Sequence, residues 1–245
     1  MTSTTTECEF CGEELPPRYI DNPVKASGKH APLSRIMIGR VACNCEGATA
    51  ARLEAMEAED ARKAAERAAR LEAKLKKSGI PARYLSATHD KAEAMAEAVM
   101  AGKGFYIHGA QGTLKTTLAM STSRLLVERG TDVLVVASYD LMDAMKSWAP
   151  NDRALYNRAR ECKVLVLDDL GKEASNTPAS CERLFAIIDT RDKELLPIIA
   201  TSNYKLSDLA KKITEGDAGK SIASRLRGST TQVAMYGEDR RLNRG

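Results

Sequence analysis

The stretch Phe105-Tyr-Ile-His-Gly-Ala-Gln-Gly-Thr-Leu-Lys-Thr-Thr-Leu118 constrains the fold most. It reads as a short buried strand, a glycine-containing loop and the first turn of a helix. Gly109, Gly112, Lys115 and Thr116 fall on the first glycine, an internal position, the lysine and the hydroxyl of the P-loop pattern G-x-x-x-x-G-K-[ST]. A triphosphate needs backbone N–H groups wrapped around it, a helix N-terminus facing it and an ammonium reaching its outer phosphates. Gly109, Ala110, Gln111, Gly112, Thr113, Leu114, Lys115, Thr116 and Thr117 are the candidate nucleotide contacts, with Thr116 offering its hydroxyl to Mg2+. Leu114 stands where the pattern has its last glycine. In right-handed helical φ/ψ a side chain is tolerable there, because only φ > 0 would exclude it. Even so, Leu114 would crowd the phosphates and weaken or slow nucleotide binding.

Around this loop, short apolar runs alternate with amphipathic segments. Strands are expected at 105–108, 133–137, 164–168, 197–201 and 232–236, and helices near 90–101, 116–129, 140–148, 178–195 and 219–227. Continuous apolar strands alternating with helices predict an α/β fold with a parallel sheet covered on both faces. Such sheets bind ligands at the carboxyl ends of their strands, and further chemistry stands at those ends. Lys163-Val-Leu-Val-Leu-Asp168-Asp169 closes an apolar strand with two carboxylates. Asp168 is placed to hold Mg2+ through water, and Asp169 to polarise the attacking water. The next strand runs through Thr201 into Ser202-Asn203, whose amide could sense a γ-phosphate or orient the water. Arg225, and later Arg240 and Arg241, supply guanidinium groups suited to bidentate phosphate contact.

The N-terminal residues obey a different logic. Cys8-x-x-Cys11 and Cys43-x-Cys45 form two close pairs separated by about thirty residues rich in proline. Four thiolates so spaced suit tetrahedral Zn2+, which would staple a loop unable to build its own core. His30 is a further donor that could replace one of them. From Glu46 to Lys77 the chain is dense in Ala, Glu, Lys and Arg, with i,i+4 pairs Glu59–Lys63, Glu66–Arg70 and Glu72–Lys76. This predicts a long helix, either a solvated spacer or a docking element, stopped by Gly79 and Pro81. The expected organisation is a zinc-binding adaptor module over 1–47, a linker helix over 48–79 and an ATPase domain over 80–245.

Charge and hydropathy narrow the setting. The net charge is +4, and residues 205–245 carry 9 Lys/Arg against 5 Asp/Glu, so the whole surplus lies there. That end could serve a phosphate site or a nucleic-acid surface. No apolar run reaches the ~18 residues of a membrane span, and the first ten residues lack a signal-peptide core. A cytoplasmic protein without membrane association is expected, and six cysteines in a reducing compartment argue against a disulfide framework.

Several segments together resemble a known family. Ser78-Gly-Ile-Pro-Ala-Arg-Tyr84, Asp168-Asp-Leu-Gly-Lys-Glu173, Ile187-Ile-Asp-Thr-Arg191, Thr201-Ser-Asn203, Ser224-Arg-Leu226 and Gly237 to Arg241 are similar to DnaC/DnaI-type replicative helicase loaders. These are AAA+ ATPases, with IstB-type transposition ATPases as close relatives, and the resemblance runs over about residues 78–241. It implies ATP and Mg2+ at Lys115, Thr116 and Asp168, and hydrolysis with Asp169 as base where many relatives carry glutamate. It further implies Asn203 as sensor 1, Arg225 as an arginine finger acting on a neighbouring subunit, and Arg241 as the sensor 2 arginine. The partners implied are a ring-shaped DnaB-type replicative helicase, single-stranded DNA and further copies of the ATPase domain. The alternatives are an IstB-like regulator of transposition and a nucleotide-binding adaptor with little hydrolysis. A shortened base and a crowded loop suggest a slow, switch-like ATPase.

Overall fold

The computed structural model describes residues 6–21, 35–147, 149–172, 177–213 and 217–237. The chain divides into two units, Met1–Ala69 and Arg70–Gly245.

In the first unit, β1 (Pro17–Asp21) and β2 (Arg35–Arg40) form an antiparallel pair, with Tyr19 opposite Met37 and Ile20 opposite Ile36. This pairing went unpredicted, because the run of prolines around β1 reads as loop. Cys8 is the one buried residue among those described in this unit, so the unit has almost no apolar core. Helix α1 (Glu46–Ser78) begins here, held by propensity and by exposed ion pairs such as Glu59–Lys63 at 2.7 Å. Glu66 meets Arg62 at 3.8 Å, one turn back rather than forward to Arg70. Leu53 and Met56 are exposed, as a stripe made mostly of alanine implies.

The second unit opens with the last two turns of α1. Leu71 and Leu75 pack against buried residues of the sheet's first face. Gly79 then ends the helix at φ 83°, where a Cβ would lie 2.3 Å from the Val135 carbonyl oxygen. Only glycine allows that approach. After a short 3-10 turn at Ala82–Tyr84 the order is α2 (Ala92–Met100), β3 (Gly104–Gly109), α3 (Lys115–Glu128), β4 (Val133–Ala137) and α4 (Ser138–Ser147). There follow α5 (Pro150–Glu161), β5 (Val164–Asp168), α6 (Pro178–Lys193), β6 (Ile198–Ser202), α7 (Leu206–Ile213), α8 (Asp217–Ser229) and β7 (Thr230–Met235).

Five of these strands make one parallel sheet in the order β4-β5-β6-β3-β7. The period of two splits each apolar run between two cores. Val133, Val164, Val166, Ile199 and Ile107 join α2 and α3 on one face, while Leu134, Leu165, Leu167, Ala200 and Tyr106 join α4 to α8 on the other. The expected strands fall within two residues of those observed. Helices α5 and α7 were not anticipated. Among its twelve residues α5 offers the core little besides Leu155, Tyr156 and Ala159, too few for a clear period, although Pro150 at its start was a legible signal.

One charged side chain organises the second face. Arg191 of α6 is wholly buried, and its guanidinium donates to the carbonyls of Ala159 (3.0 Å), Cys162 (2.9 Å), Lys163 (3.2 Å) and Pro197 (2.8 Å). It thus closes the C-terminal end of α5, where a cation complements the helix dipole, and ties that end to the entries of β5 and β6.

Candidate functional site

Strand β3 ends at Gly109, and α3 begins at Lys115, so the loop between them lies at the carboxyl edge of the sheet. Gly109 (φ 156°) presses so closely on β7 that a Cβ would meet the Met235 carbonyl oxygen at 2.1 Å. Ala110 and Gln111 are exposed, Gly112 (φ 76°) and Thr113 are buried, and Thr113 Oγ1 donates to the Ala110 carbonyl at 2.8 Å. The Lys115 ammonium crosses beneath the loop to the carbonyls of Gly109 (2.8 Å) and Ala110 (2.6 Å), while Thr116 and the half-buried Thr117 follow on the first turn. A buried ammonium, a glycine-containing loop and a helix N-terminus thus come together at the carboxyl edge of the sheet, the combination that suits a phosphate anion.

Leu114 corrects the right-handed alternative under which its side chain was acceptable. It stands at φ 63°, ψ 20°, in the left-handed region, as the residue capping the start of α3. The loop therefore keeps the conformation that glycine serves elsewhere, and leucine adopts it at a cost of about 1–2 kcal/mol. The Leu118 amide still donates to the Leu114 carbonyl at 2.9 Å, so the first helical turn forms despite the strain.

The two strand-end carboxylates are held differently. Asp168 Oδ1 accepts from Thr116 Oγ1 at 2.9 Å and from Thr201 Oγ1 at 2.6 Å. Burial pushes the Asp168 carboxyl above its ordinary range; the Thr201 bond pulls it back, the neighbouring Asp169 charge pushes it up again, and Thr116 opposes both. Asp169 follows at φ 59°, with its N–H donating to Thr201 Oγ1 at 2.9 Å and its Oδ2 paired to Lys172 Nζ at 2.7 Å. Thr201 and Lys172 were missed as site residues. A hydroxyl ending the strand beside that of Asp168 was the available signal for Thr201, but strand order is not written in the chain.

Asn203 lies half-buried just after β6. On one side the Ser202 hydroxyl donates to the Leu170 carbonyl (2.6 Å), and on the other the Tyr106 hydroxyl donates to the Tyr204 carbonyl (2.8 Å). Arg225 is not drawn to the loop. Its described ion pairs run from α8 to Asp189 (2.9 Å) and Asp192 (3.4 Å) of α6, and it borders an open cleft lined also by Phe185, Lys220 and Ser224. Arg240, Arg241 and His30 lie outside the described residues.

Far along the chain, the sulfurs of Cys8, Cys11, Cys43 and Cys45 all lie within 4.8 Å of one another. Cys8 and Cys45 approach to 3.8 Å and Cys11 and Cys43 to 3.5 Å. Zn–S bonds of about 2.3 Å in a tetrahedron separate sulfurs by about 3.8 Å, so the four donors fit this metal. Backbone N–H groups of Phe10 and Cys11 pull the Cys8 thiol down to about 7. Cys45 accepts from the Ala48 amide at 3.4 Å, at the start of α1.

The five-stranded parallel sheet flanked by helices, with the glycine loop and both carboxylates at its carboxyl edge, is the AAA+ P-loop NTPase fold. No protein-family model matches the chain. The chain is similar to replicative helicase loaders of the DnaI and DnaC type. DnaI of Bacillus subtilis (strain 168) is 24% identical over 150 residues, covering 57% of this chain and 48% of that protein. DnaC of Escherichia coli (strain K12) is 28% identical over 117 residues, covering 45% and 46%. The matched stretches thus span about half the length of these curated relatives. A crystal structure of DnaI superposes with a TM-score of 0.56 at 28% identity, covering 66% of this chain and 94% of that one. The replication initiator DnaA, bound to AMPPCP and single-stranded DNA, shares the fold at a TM-score of 0.53 and 19% identity, covering 65% and 52%. Among the described residues no helix is long and apolar enough to cross a membrane.

Proposed function

We propose that this chain is an ATP-controlled helicase loader, which docks on a DnaB-type replicative helicase and places it on single-stranded DNA. The observation that carries the nucleotide reading is the bond from Thr116 Oγ1 to Asp168 Oδ1 at 2.9 Å. It joins the loop hydroxyl to the strand-end carboxylate, the two groups that would share one Mg2+ on ATP. Lys115 would hold the outer phosphates and Mg2+ would offset their charge, while Asp169 would take the proton of the attacking water, which Asn203 orients. Arg225 would act on the nucleotide of a neighbouring copy, with Arg241 answering the γ-phosphate within the same chain. Residues 1–47, stapled by Zn2+ at Cys8, Cys11, Cys43 and Cys45, would be the adaptor that meets the helicase. Residues 48–79 would be the linking helix and 80–245 the ATPase domain. The similarity to named loaders supports this reading over regulation of transposition.

The deciding experiment is phosphate release from Mg·ATP by the full chain, alone and with single-stranded DNA and replicative helicase. Slow release that rises with DNA and helicase is expected, together with loss of ATP binding in Lys115→Ala. Unimpaired ATP binding by Lys115→Ala would sink the site assignment. Normal binding with no release under any condition would make the chain a nucleotide-dependent adaptor.

A further inference from the structure

Asp168 and Asp169 point to different tasks, yet a single hydroxyl touches both. Thr201, the fourth residue of β6, is wholly buried. Its Oγ1 donates to Asp168 Oδ1 at 2.6 Å and accepts from the Asp169 N–H at 2.9 Å, while its own carbonyl accepts from the Leu170 N–H at 2.8 Å. The hydroxyl thus spends its proton on one acid and a lone pair on the backbone of the other.

Each bond settles something the rest of the site leaves open. Thr116 and Thr201 both bond Oδ1 of Asp168, and none of the described hydrogen bonds occupies Oδ2, which leaves that oxygen for a metal. Asp169 stands at φ 59°, a conformation a non-glycine residue keeps only where its surroundings over-determine it. The Thr201 bond to its amide and the Leu170 bond to the Thr201 carbonyl fasten that turn from both ends. The β-branched side chain is itself stiff at χ1 within a strand, so the hydroxyl is preset between the two acids.

We propose that Thr201 is a positioning residue for both carboxylates, setting the metal-facing oxygen of Asp168 and the turn that aims Asp169. The proposal rests on the reading of those acids as metal holder and base. It predicts that loss of the hydroxyl damages Mg2+ use and turnover while leaving metal-free nucleotide binding alone.

The test compares the full chain with Thr201→Val, Thr201→Ser and Ser202→Ala. Valine keeps the shape and removes the hydroxyl, and serine keeps the hydroxyl. Ser202 is an equally buried hydroxyl in the same strand that bonds the Leu170 carbonyl and the Tyr204 amide but neither acid, so Ser202→Ala controls for lost stability. ATP affinity is measured in EDTA and across a Mg2+ titration, followed by phosphate release and the thermal midpoint. Thr201→Val should keep its EDTA affinity within about twofold, need roughly tenfold more Mg2+ and lose tenfold or more in kcat, as removing a hydrogen bond to a charged group implies. Thr201→Ser should recover most of both, and Ser202→Ala should keep the wild-type Mg2+ requirement. If Thr201→Val does not fold, Thr201→Ser decides by the same Mg2+ titration: a wild-type requirement supports the proposal and a raised one overturns it. A folded Thr201→Val with wild-type Mg2+ use and turnover overturns this proposal alone. A wild-type chain that binds no nucleotide overturns the functional reading and this proposal with it.

Discussion

Lys172 Nζ lies 2.7 Å from Asp169 Oδ2, so the carboxylate proposed as the base is gripped by an ammonium three residues further along its own turn. While the ammonium holds that oxygen, it occupies the position that would receive the proton of an attacking water. Replacing Lys172 with methionine should raise ATP hydrolysis in the absence of DNA by several-fold. Phosphate release from the unstimulated protein measures this. A fall instead would mean that the ammonium serves the phosphates.

Leu114 gives a prediction of opposite character for stability and binding. Leu114→Gly removes a left-handed penalty of about 1–2 kcal/mol but restores about 0.5–1 kcal/mol of glycine's unfolded-state freedom. The thermal midpoint should therefore move little. The affinity for Mg·ATP should rise by roughly three- to tenfold as the side chain leaves the loop. Leu114→Val, β-branched at φ 63°, should fold less well than wild type. Equilibrium binding and a melting curve on the three proteins check both claims.

Arg191 should prove structural. Arg191→Met takes the guanidinium donor from the carbonyls of Ala159, Cys162 and Lys163 and leaves that of Pro197 with the Leu165 amide at 3.2 Å, at about 1–3 kcal/mol for each group left unsatisfied. A loss of at least about 3 kcal/mol corresponds to a drop of roughly 6–12 °C for a unit of this size. Differential scanning calorimetry reads it, and a midpoint within two or three degrees of wild type would contradict the role given to this side chain.

Zinc should matter to one unit alone. Elemental analysis of the purified chain should find about one zinc per molecule, lost on Cys43→Ser or strong chelation. Since Cys8 is the one described residue buried in residues 1–69, metal removal should unfold that unit. The melting transition of residues 70–245 should remain. Retained protease resistance of the first unit after complete zinc removal would refute the staple.

Arg225→Ala should bind ATP as wild type does and fail to support hydrolysis in a neighbouring copy. Mixing it with Lys115→Ala reads this directly: the pair should recover some activity if the two sites act in trans. Asp189 and Asp192 hold Arg225 in the isolated chain, so a change at either acid should alter turnover before it alters affinity.

Much of this is legible in the sequence. The strands at 133–137 and 164–168 are apolar in unbroken runs, and a residue run buried on both faces needs no partner to be recognised. The glycines, Lys115, Thr116 and the paired acids are identified by spacing along the chain. Thr201, Lys172 and Arg191 are different, because their roles depend on which strands lie side by side. A threonine closing β6 means little until β6 lies beside β5. The left-handed Leu114 was hidden for another reason: a leucine gives no warning that its backbone has taken a glycine's conformation. The short strands β1 and β2 and helix α7 were too brief, or too rich in proline and lysine, to stand out.

The contact between Gly109 and the Met235 carbonyl makes the outermost strand of the sheet a gauge for the nucleotide loop. The two backbones touch without an intervening side chain, so the loop cannot widen toward β7 unless the strand yields, and the strand cannot settle inward unless the loop gives. An edge strand is ordinarily the most expendable member of a sheet. Here a disturbance at that margin, whether a cut after α8 or a pull on the chain beyond Met235, would be felt first as altered grip on phosphate and only later as lost stability.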